Sequence, residues 1–300
     1  MRTALASISL AACAGTSGSV LSQPPDSHNH LSRDVIGITA GYNHTCALNR
    51  DGSIACWGWD WDYGIATPPY GSFVAIRASA YHTCALGSDG TVTCWGMPDE
   101  YAGVPAGRFT EISSFIDASC GIRAEGTLAC WGGTRSDATT PPDGTFVDLS
   151  GGAVHACAIA DDGTLKCWGV PEFTPPPPTG AYARLSTSGD GDCAIRQDDS
   201  TVACWSTGTP EEDGSPDPAP QPPPGRFVSL AATGEGYTCG IRDDATLACW
   251  GDAGQIGEPP GGRYIAVALW WWHACAVRDD GAVVCWGRDF AGETMPPPAS

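Results

Sequence analysis

Fourteen of the chain's 15 cysteines form a ladder: Cys46/Cys56, Cys84/Cys94, Cys120/Cys130, Cys157/Cys167, Cys193/Cys204, Cys239/Cys249 and Cys275/Cys285. Six pairs are separated by 10 residues and one by 11. The first members advance by 38, 36, 37, 36, 46 and 36 residues, a period near 37. Self-similarity at such a period marks stacked supersecondary units rather than one or two ordinary domains. Tryptophan follows each second cysteine: Trp57, Trp95, Trp131, Trp168, Trp205, Trp250 and Trp286.

The spacing has a geometric reason. Each pair brackets two short β-rich runs around a turn that ends in Gly52, Gly90, Gly126, Gly163 or Gly281. A three-residue hairpin loop needs a left-handed residue at its end, which glycine adopts cheaply. Such a loop sets residues 46 and 56 directly opposite on the two strands, close enough for a disulfide. Zinc is the competing reading, but Cys-x-x-Cys spacing is absent. The fifth unit lacks the glycine and has one extra residue, so its hairpin is wider. The sixth has Ala245 in the glycine slot, so strain is expected there.

The first strand of each unit alternates, as in Phe73-Val74-Ala75-Ile76, and the hairpin strands are apolar or small on both faces. Strands buried on both sides imply sheets stacked on sheets. The expected fold is therefore all-β, a seven-bladed β-propeller with one disulfide inside each blade. The repeats span 33–70, 71–107, 108–144, 145–180, 181–225, 226–262 and 263–300. The 39 glycines and 25 prolines argue against a helical repeat. A formal charge of −19 argues against binding nucleic acid.

The fifteenth cysteine, Cys13, ends the segment 1–13: a basic start, a short apolar stretch and Leu10-Ala11-Ala12-Cys13. This reads as an export signal, too short to span a bilayer. It resembles the lipobox of bacterial lipoproteins, which implies lipidation at Cys13 and tethering without spanning. By that resemblance Ala14 implies the outer membrane, with plain secretion as the alternative. Residues 14–32, with His28 and His30, read as a flexible tether.

The repeat Ala-Gly-x-x-His-Thr-Cys-Ala-Leu-x-x-Asp-Gly-x-x-x-Cys-Trp-Gly resembles that of the regulator-of-chromosome-condensation superfamily. The cysteine-paired form is similar to bacterial surface proteins and to ectodomains of plant crinkly-type receptor kinases. Gly254-Gln255-Ile256-Gly257 resembles a segment that often follows Trp-Gly in that family. The resemblance covers about 33–300 and implies the propeller. It leaves function open, since folds host unrelated activities.

In an up-down-up blade, the Gly-x-x-His turns and the loops after Cys-Trp-Gly share one end; the Asp-Gly turns lie at the other. The first end collects Tyr42, Tyr81, Phe115 and Phe173 besides a set from neighbouring repeats 1, 2 and 7. That set is Trp59, Asp60, Trp61, Asp62, Tyr63, Glu100, Tyr101, Trp270, Trp271, Trp272, Asp289 and Phe290. It is the expected partner-binding arc, acidic and aromatic, for a protein or a glycan. The competing reading packs these aromatics into their own blades. His44, His82, His155 and His273 recur two residues before the first cysteine. The slot is not filled by histidine in the other repeats, so these read as turn-supporting rather than metal-binding. The insertion 207–224 reads as an acidic, proline-rich surface loop. Asp60-Trp61-Asp62-Tyr63-Gly64 is only a fragment of a calcium loop, with Gly71 where glutamate is needed.

His-Glu-x-x-His and Gly-x-Ser-x-Gly are absent, and the single lysine, Lys166, lacks phosphate-loop glycines. The expectation is an exported, lipid-anchored, monomeric binding module without metal or cofactor. An extracytoplasmic lyase or hydrolase is the alternative, which a ring of carboxylates in the central channel would favour. An inhibitor of an extracellular enzyme is the third reading.

Overall fold

The structure, a computed structural model, describes residues 29–299 except 61–62, 99–102, 117, 134–138, 172–173, 175, 190, 207–220, 234–235, 253 and 255. Among the described residues there are seven three-stranded antiparallel sheets, each built from consecutive strands, and no helix long and apolar enough to cross a membrane. The inner strands are β1 (Val35–Ala40), β4 (Phe73–Ala78), β7 (Phe109–Ser114), β10 (Phe146–Gly151), β13 (Tyr182–Ser186), β16 (Phe227–Ala232) and β19 (Tyr264–Trp270). The middle strands are β2 (His44–Asn49), β5 (His82–Gly87), β8 (Ala118–Arg123), β11 (His155–Ala160), β14 (Gly191–Arg196), β17 (Thr238–Arg242) and β20 (His273–Arg278). The outer strands are β3 (Ile54–Gly58), β6 (Val92–Gly96), β9 (Leu128–Gly132), β12 (Leu165–Gly169), β15 (Val202–Ser206), β18 (Leu247–Trp250) and β21 (Val283–Gly287).

The hairpin argument holds in register. Cys46 faces Cys56, Cys84 faces Cys94, Cys120 faces Cys130, Cys157 faces Cys167, Cys193 faces Cys204, Cys239 faces Cys249 and Cys275 faces Cys285. All seven pairs are bonded, with Cα atoms 4.0 or 4.1 Å apart. Asn49 N–H donates to Ser53 O across the three-residue loop, with Gly52 at φ +87°. In the fifth blade Arg196 N–H reaches Thr201 O, one residue further on. Ser200 and Ala245 fill the glycine slot at φ +63° and +69°, a left-handed conformation that carries a Cβ penalty. The aspartate before the glycine has its own task. Asp51, Asp89, Asp162 and Asp244 each accept the side-chain hydroxyl and then the backbone N–H of the residue two on, which holds these carboxylates below their usual range.

The core lies between blades, not within them. Seven hydrophobic clusters occupy the seven blade interfaces. On each outer strand the cysteine and its tryptophan point to opposite sides, as adjacent strand residues must. The disulfide of one blade therefore packs with the tryptophan of the next. Cys46/Cys56 meets Trp95, Cys84/Cys94 meets Trp131, and Cys120/Cys130 meets Trp168. Cys157/Cys167 meets Trp205, Cys193/Cys204 meets Trp250, and Cys239/Cys249 meets Trp286. Cys275/Cys285 completes the circuit on Trp57, where Ala268 and Val277 of blade seven also meet Val35 and Ile38 of blade one. Among the described residues the ring closes by packing, with no strand exchanged between sheets.

Burial on both faces, expected of both hairpin strands, holds for the middle strands but not for most outer ones. Every first cysteine is fully buried, whereas Cys94, Cys130, Cys167, Cys204, Cys249 and Cys285 are only partly buried. The outer strand is the free edge of its sheet, so solvent reaches it around the rim. Cys56 is the exception and is buried, because another segment covers its strand.

That segment was expected to be free. Residues 29–32, the end of the supposed tether, are seated on blade one. Leu31 is buried, and the Asn29 amide both donates to Cys56 O and accepts Cys56 N–H, as a paired strand would. Every inner strand also breaks its alternation with a bulge after its first residue, as between Phe73 and Ala75. Val74, Val147, Val228 and Ile265 occupy that position and are exposed along the central channel.

Candidate functional site

The histidines turn out to be clasps between blades. His44 Nε2 lies 2.8 Å from Thr83 Oγ1, His82 Nε2 2.8 Å from Ser119 Oγ, and His273 Nε2 3.2 Å from Thr45 Oγ1 across the closing seam. His155 Nε2 reaches both oxygens of Asp192, at 3.0 and 3.1 Å. The acceptor always follows the clasp slot of the next blade. Where the slot holds Ala118, its counterpart is Ala156; where it holds Tyr237, the counterpart is Ala274. Thr45 and Ser119 spend their own protons on Glu293 O and Ser114 Oγ, so His273 and His82 must donate through Nε2–H. Burial holds His44 and His82 down to about 3 and His273 to about 4, the neutral form this role needs.

Among the described residues one group could hold a metal: His155, Cys157 and Asp192. Cys157 is bonded to Cys167, and Asp192 already accepts His155 and the Ser188 N–H, so these donors are committed to structure.

The Gly-x-x-His end carries a continuous aromatic row across blades seven, one and two. Phe290 meets Trp272 edge-on at 5.5 Å, Trp272 meets Tyr42 at 5.3 Å, and Tyr42 meets Tyr81 at 6.0 Å. Trp271 stands at 86° to Trp272, 5.9 Å away. The turns are pinned to the neighbouring loops: Arg288 N–H donates to Trp272 O, and Trp59 N–H to Asn43 O. This close approach explains the glycine of Cys-Trp-Gly, since a Cβ at Gly287 would sit 2.5 Å from Trp272 O.

Of the expected arc, Trp271, Trp272 and Phe290 join this row, while Trp270 is half-buried against the last core cluster. Trp59, Tyr63 and Phe290 are about half exposed (51%, 50% and 55%). Trp61, Asp62, Glu100 and Tyr101 lie outside the described residues, as do Cys13, His28 and Phe173. Asp60 and Asp289 serve first as turn caps, accepting Ala66 N–H and Gly292 N–H. Arg288 covers one face of Phe290 at 5.5 Å. Tyr42 and Tyr81, left out of the arc, link its blades. Their place directly before the clasp histidine, or two before it, was the available signal.

Sequence reasoning foresaw a central channel but named none of its residues; it is a cavity of about 650 Å³ lined by all seven inner strands. Four consecutive blades put charge on it: Arg77 on β4, Glu111 on β7, Asp148 on β10 and Arg184 on β13. At the position of Glu111, Asp148 and Arg184, blades one, two, six and seven offer Gly37, Ala75, Ser229 and Ala266. Glu111 donates a hydrogen bond to Asp148, whose Oδ2 also accepts Leu185 N–H at 3.0 Å. Burial and the adjacent Asp148 push the Glu111 carboxyl up to about 8, and burial raises Asp148 as well. The channel therefore holds one carboxyl pair flanked by two arginines, not a ring of carboxylates.

Fold and site define the class: a disulfide-stapled, seven-bladed propeller. Regulator of chromosome condensation (RCC1) repeats occur in four places, at 35–64, 73–101, 146–173 and 265–293. The fold is shared by the CRINKLY WD40 ectodomain of the Arabidopsis thaliana receptor kinase ACR4, at TM-score 0.71 and 23% identity over 89% of this chain and 99% of that one. The ectodomain of the Physcomitrella patens receptor kinase CR4 gives 0.69 and 23%, over 84% of this chain and 72% of that one. Saccharomyces cerevisiae Prp20p gives 0.63 and 14%, over 78% and 80%. No curated protein matches the chain.

Proposed function

We propose that this chain is an exported binding module that docks a protein partner on the aromatic end of blades seven, one and two. The observation that carries the reading is the aromatic row from Phe290 to Tyr81, edged by the exposed Trp59 and Tyr63. Aromatic clusters with one face free are the surfaces on which binding energy concentrates. A protein partner accords with Prp20p, a propeller described with binding properties towards Gsp1p and histones. Seven disulfides suit an oxidising compartment. With the 1–13 segment, they support a lipid anchor at Cys13 in a bacterial outer membrane.

The test compares the protein with a Trp59→Ser/Tyr63→Ser/Phe290→Ser variant in crosslinking to extracytoplasmic proteins and on a glycan array. Arg50→Ala at the opposite end is the control. A protein captured by the parent and control but lost from the triple variant, at unchanged melting temperature, supports the reading. Equal capture by all three, or array signal alone, refutes it.

A further inference from the structure

We propose that the central channel holds a small oxyanion between Arg77 and Arg184. Three observations meet there. First, among the described residues neither guanidinium has a carboxylate within ion-pair distance. Each donates to the carbonyl before it, Arg77 to Ile76 O and Arg184 to Ala183 O, both at 2.9 Å. Elsewhere Arg50, Arg226 and Arg263 pair with aspartates, while Arg123, Lys166, Arg196, Arg242, Arg278 and Arg288 lie over aromatic rings. In a chain of charge −19, the channel thus contains two arginines near the carboxyl pair but in ion-pair contact with neither of its members.

Second, the hydroxyls beside them are set to donate. Thr39 Oγ1 accepts Ala78 N–H at 2.8 Å, and Ser113 Oγ accepts Gly151 N–H at 3.0 Å. Each acceptor role leaves the hydroxyl proton available to donate, and both residues line the channel. Third, the cavity of about 650 Å³ is of small-ligand size.

The carboxyl pair sets the sign of the site. With one proton shared, Glu111 and Asp148 carry one negative charge against the two arginines, a net of about +1. A divalent cation would have to displace that proton and sit beside two guanidiniums. A sulfate, phosphate or dicarboxylate can take the two guanidiniums while the pair keeps its proton. The charged groups acting on Glu111 are Asp148 from β10, Arg77 from β4 and Arg184 from β13. Arg123, on β8 of its own blade, lies over Phe109 instead. Deprotonation of the pair cancels the net charge, so anion and proton bind cooperatively.

The test is calorimetric titration of the disulfide-intact propeller with sulfate, whose charge is constant from pH 6.5 to 9.5, at fixed ionic strength. The parent should bind one sulfate and weaken about tenfold across that range. Arg77→Gln/Arg184→Gln should lose about tenfold or more at pH 6.5, as expected for charged hydrogen bonds. Glu111→Gln, which keeps the donor without a titrating proton, should bind at pH 6.5 and hold its affinity at pH 9.5. Thermal melts report folding, and Arg184→Met alone serves if the double variant melts early. Affinity indifferent to the arginines, no saturable sulfate binding, or calcium binding at pH 9.5 that needs Glu111 would each overturn the proposal.

Discussion

Thr45→Val tests the reading of the closing seam. The Thr45 hydroxyl is fully buried, accepts His273 Nε2–H and donates to Glu293 O at 2.9 Å. Valine keeps the shape and removes both bonds. The Glu293 carbonyl retains Trp57 Nε1–H at 2.8 Å, so it stays satisfied. His273 does not: its Nε2–H is left in a dry interface. An orphaned buried donor costs about 1–3 kcal/mol, and the lost hydroxyl bond adds about 1 kcal/mol. The expected loss is about 2–4 kcal/mol, or roughly 4–12 °C in melting temperature for a domain of this size. Urea unfolding of the oxidised protein, followed by tryptophan fluorescence, reads it. Thr45→Val/His273→Leu should recover at least about 1 kcal/mol relative to additivity, because contacting partners couple. The Ala118/Ala156 interface already does without both groups. A single variant within about 0.5 kcal/mol of the parent, or strict additivity, would refute the clasp.

Ala245→Gly should raise stability by about 1 kcal/mol, since alanine holds a left-handed φ of +69° there; a calorimetric melt checks it. Gly287→Ala should do the reverse by about 2 kcal/mol or more, as the new Cβ meets Trp272 O; urea unfolding reports it. Stability should fall at both pH extremes for different reasons. Glu111 has its pKa raised above the unfolded value, so its contribution is full below 4.5 and lost as pH rises through about 8. His44, His82 and His273 have theirs depressed, so their contribution is present above 6.5 and lost as pH falls toward about 3 to 4. Melting temperatures from pH 4 to 9.5 should therefore show Glu111→Gln flattening the alkaline limb alone.

The hairpins, their disulfides and the blade count were legible because each follows from local spacing. Cys46 and Cys56 share one turn, and that turn's length fixes their register. The two ends of the propeller followed from strand direction. What escaped lies between blades. His273 and Thr45 are 228 residues apart, and Arg77 and Arg184 stand three repeats from each other. A single repeat shows an ordinary strand charge at each channel position. The charge becomes a site only when seven inner strands are placed around one axis. The bulge after the first residue was equally hidden, since Phe73-Val74-Ala75-Ile76 reads as plain alternation. Charge at one matched position of three consecutive repeats, Glu111, Asp148 and Arg184, each nine residues before its first cysteine, was the signal available; Arg77 stands two positions further along its own strand.

Each disulfide closes within 10 or 11 residues, and none joins two blades. Covalently, the oxidised protein is still an open string of seven beads. Every bead can be oxidised as its hairpin emerges, before any distant part of the chain exists. Ring integrity then rests wholly on packing and hydrogen bonds. One cut between blades therefore leaves two pieces that separate in denaturant without any reductant.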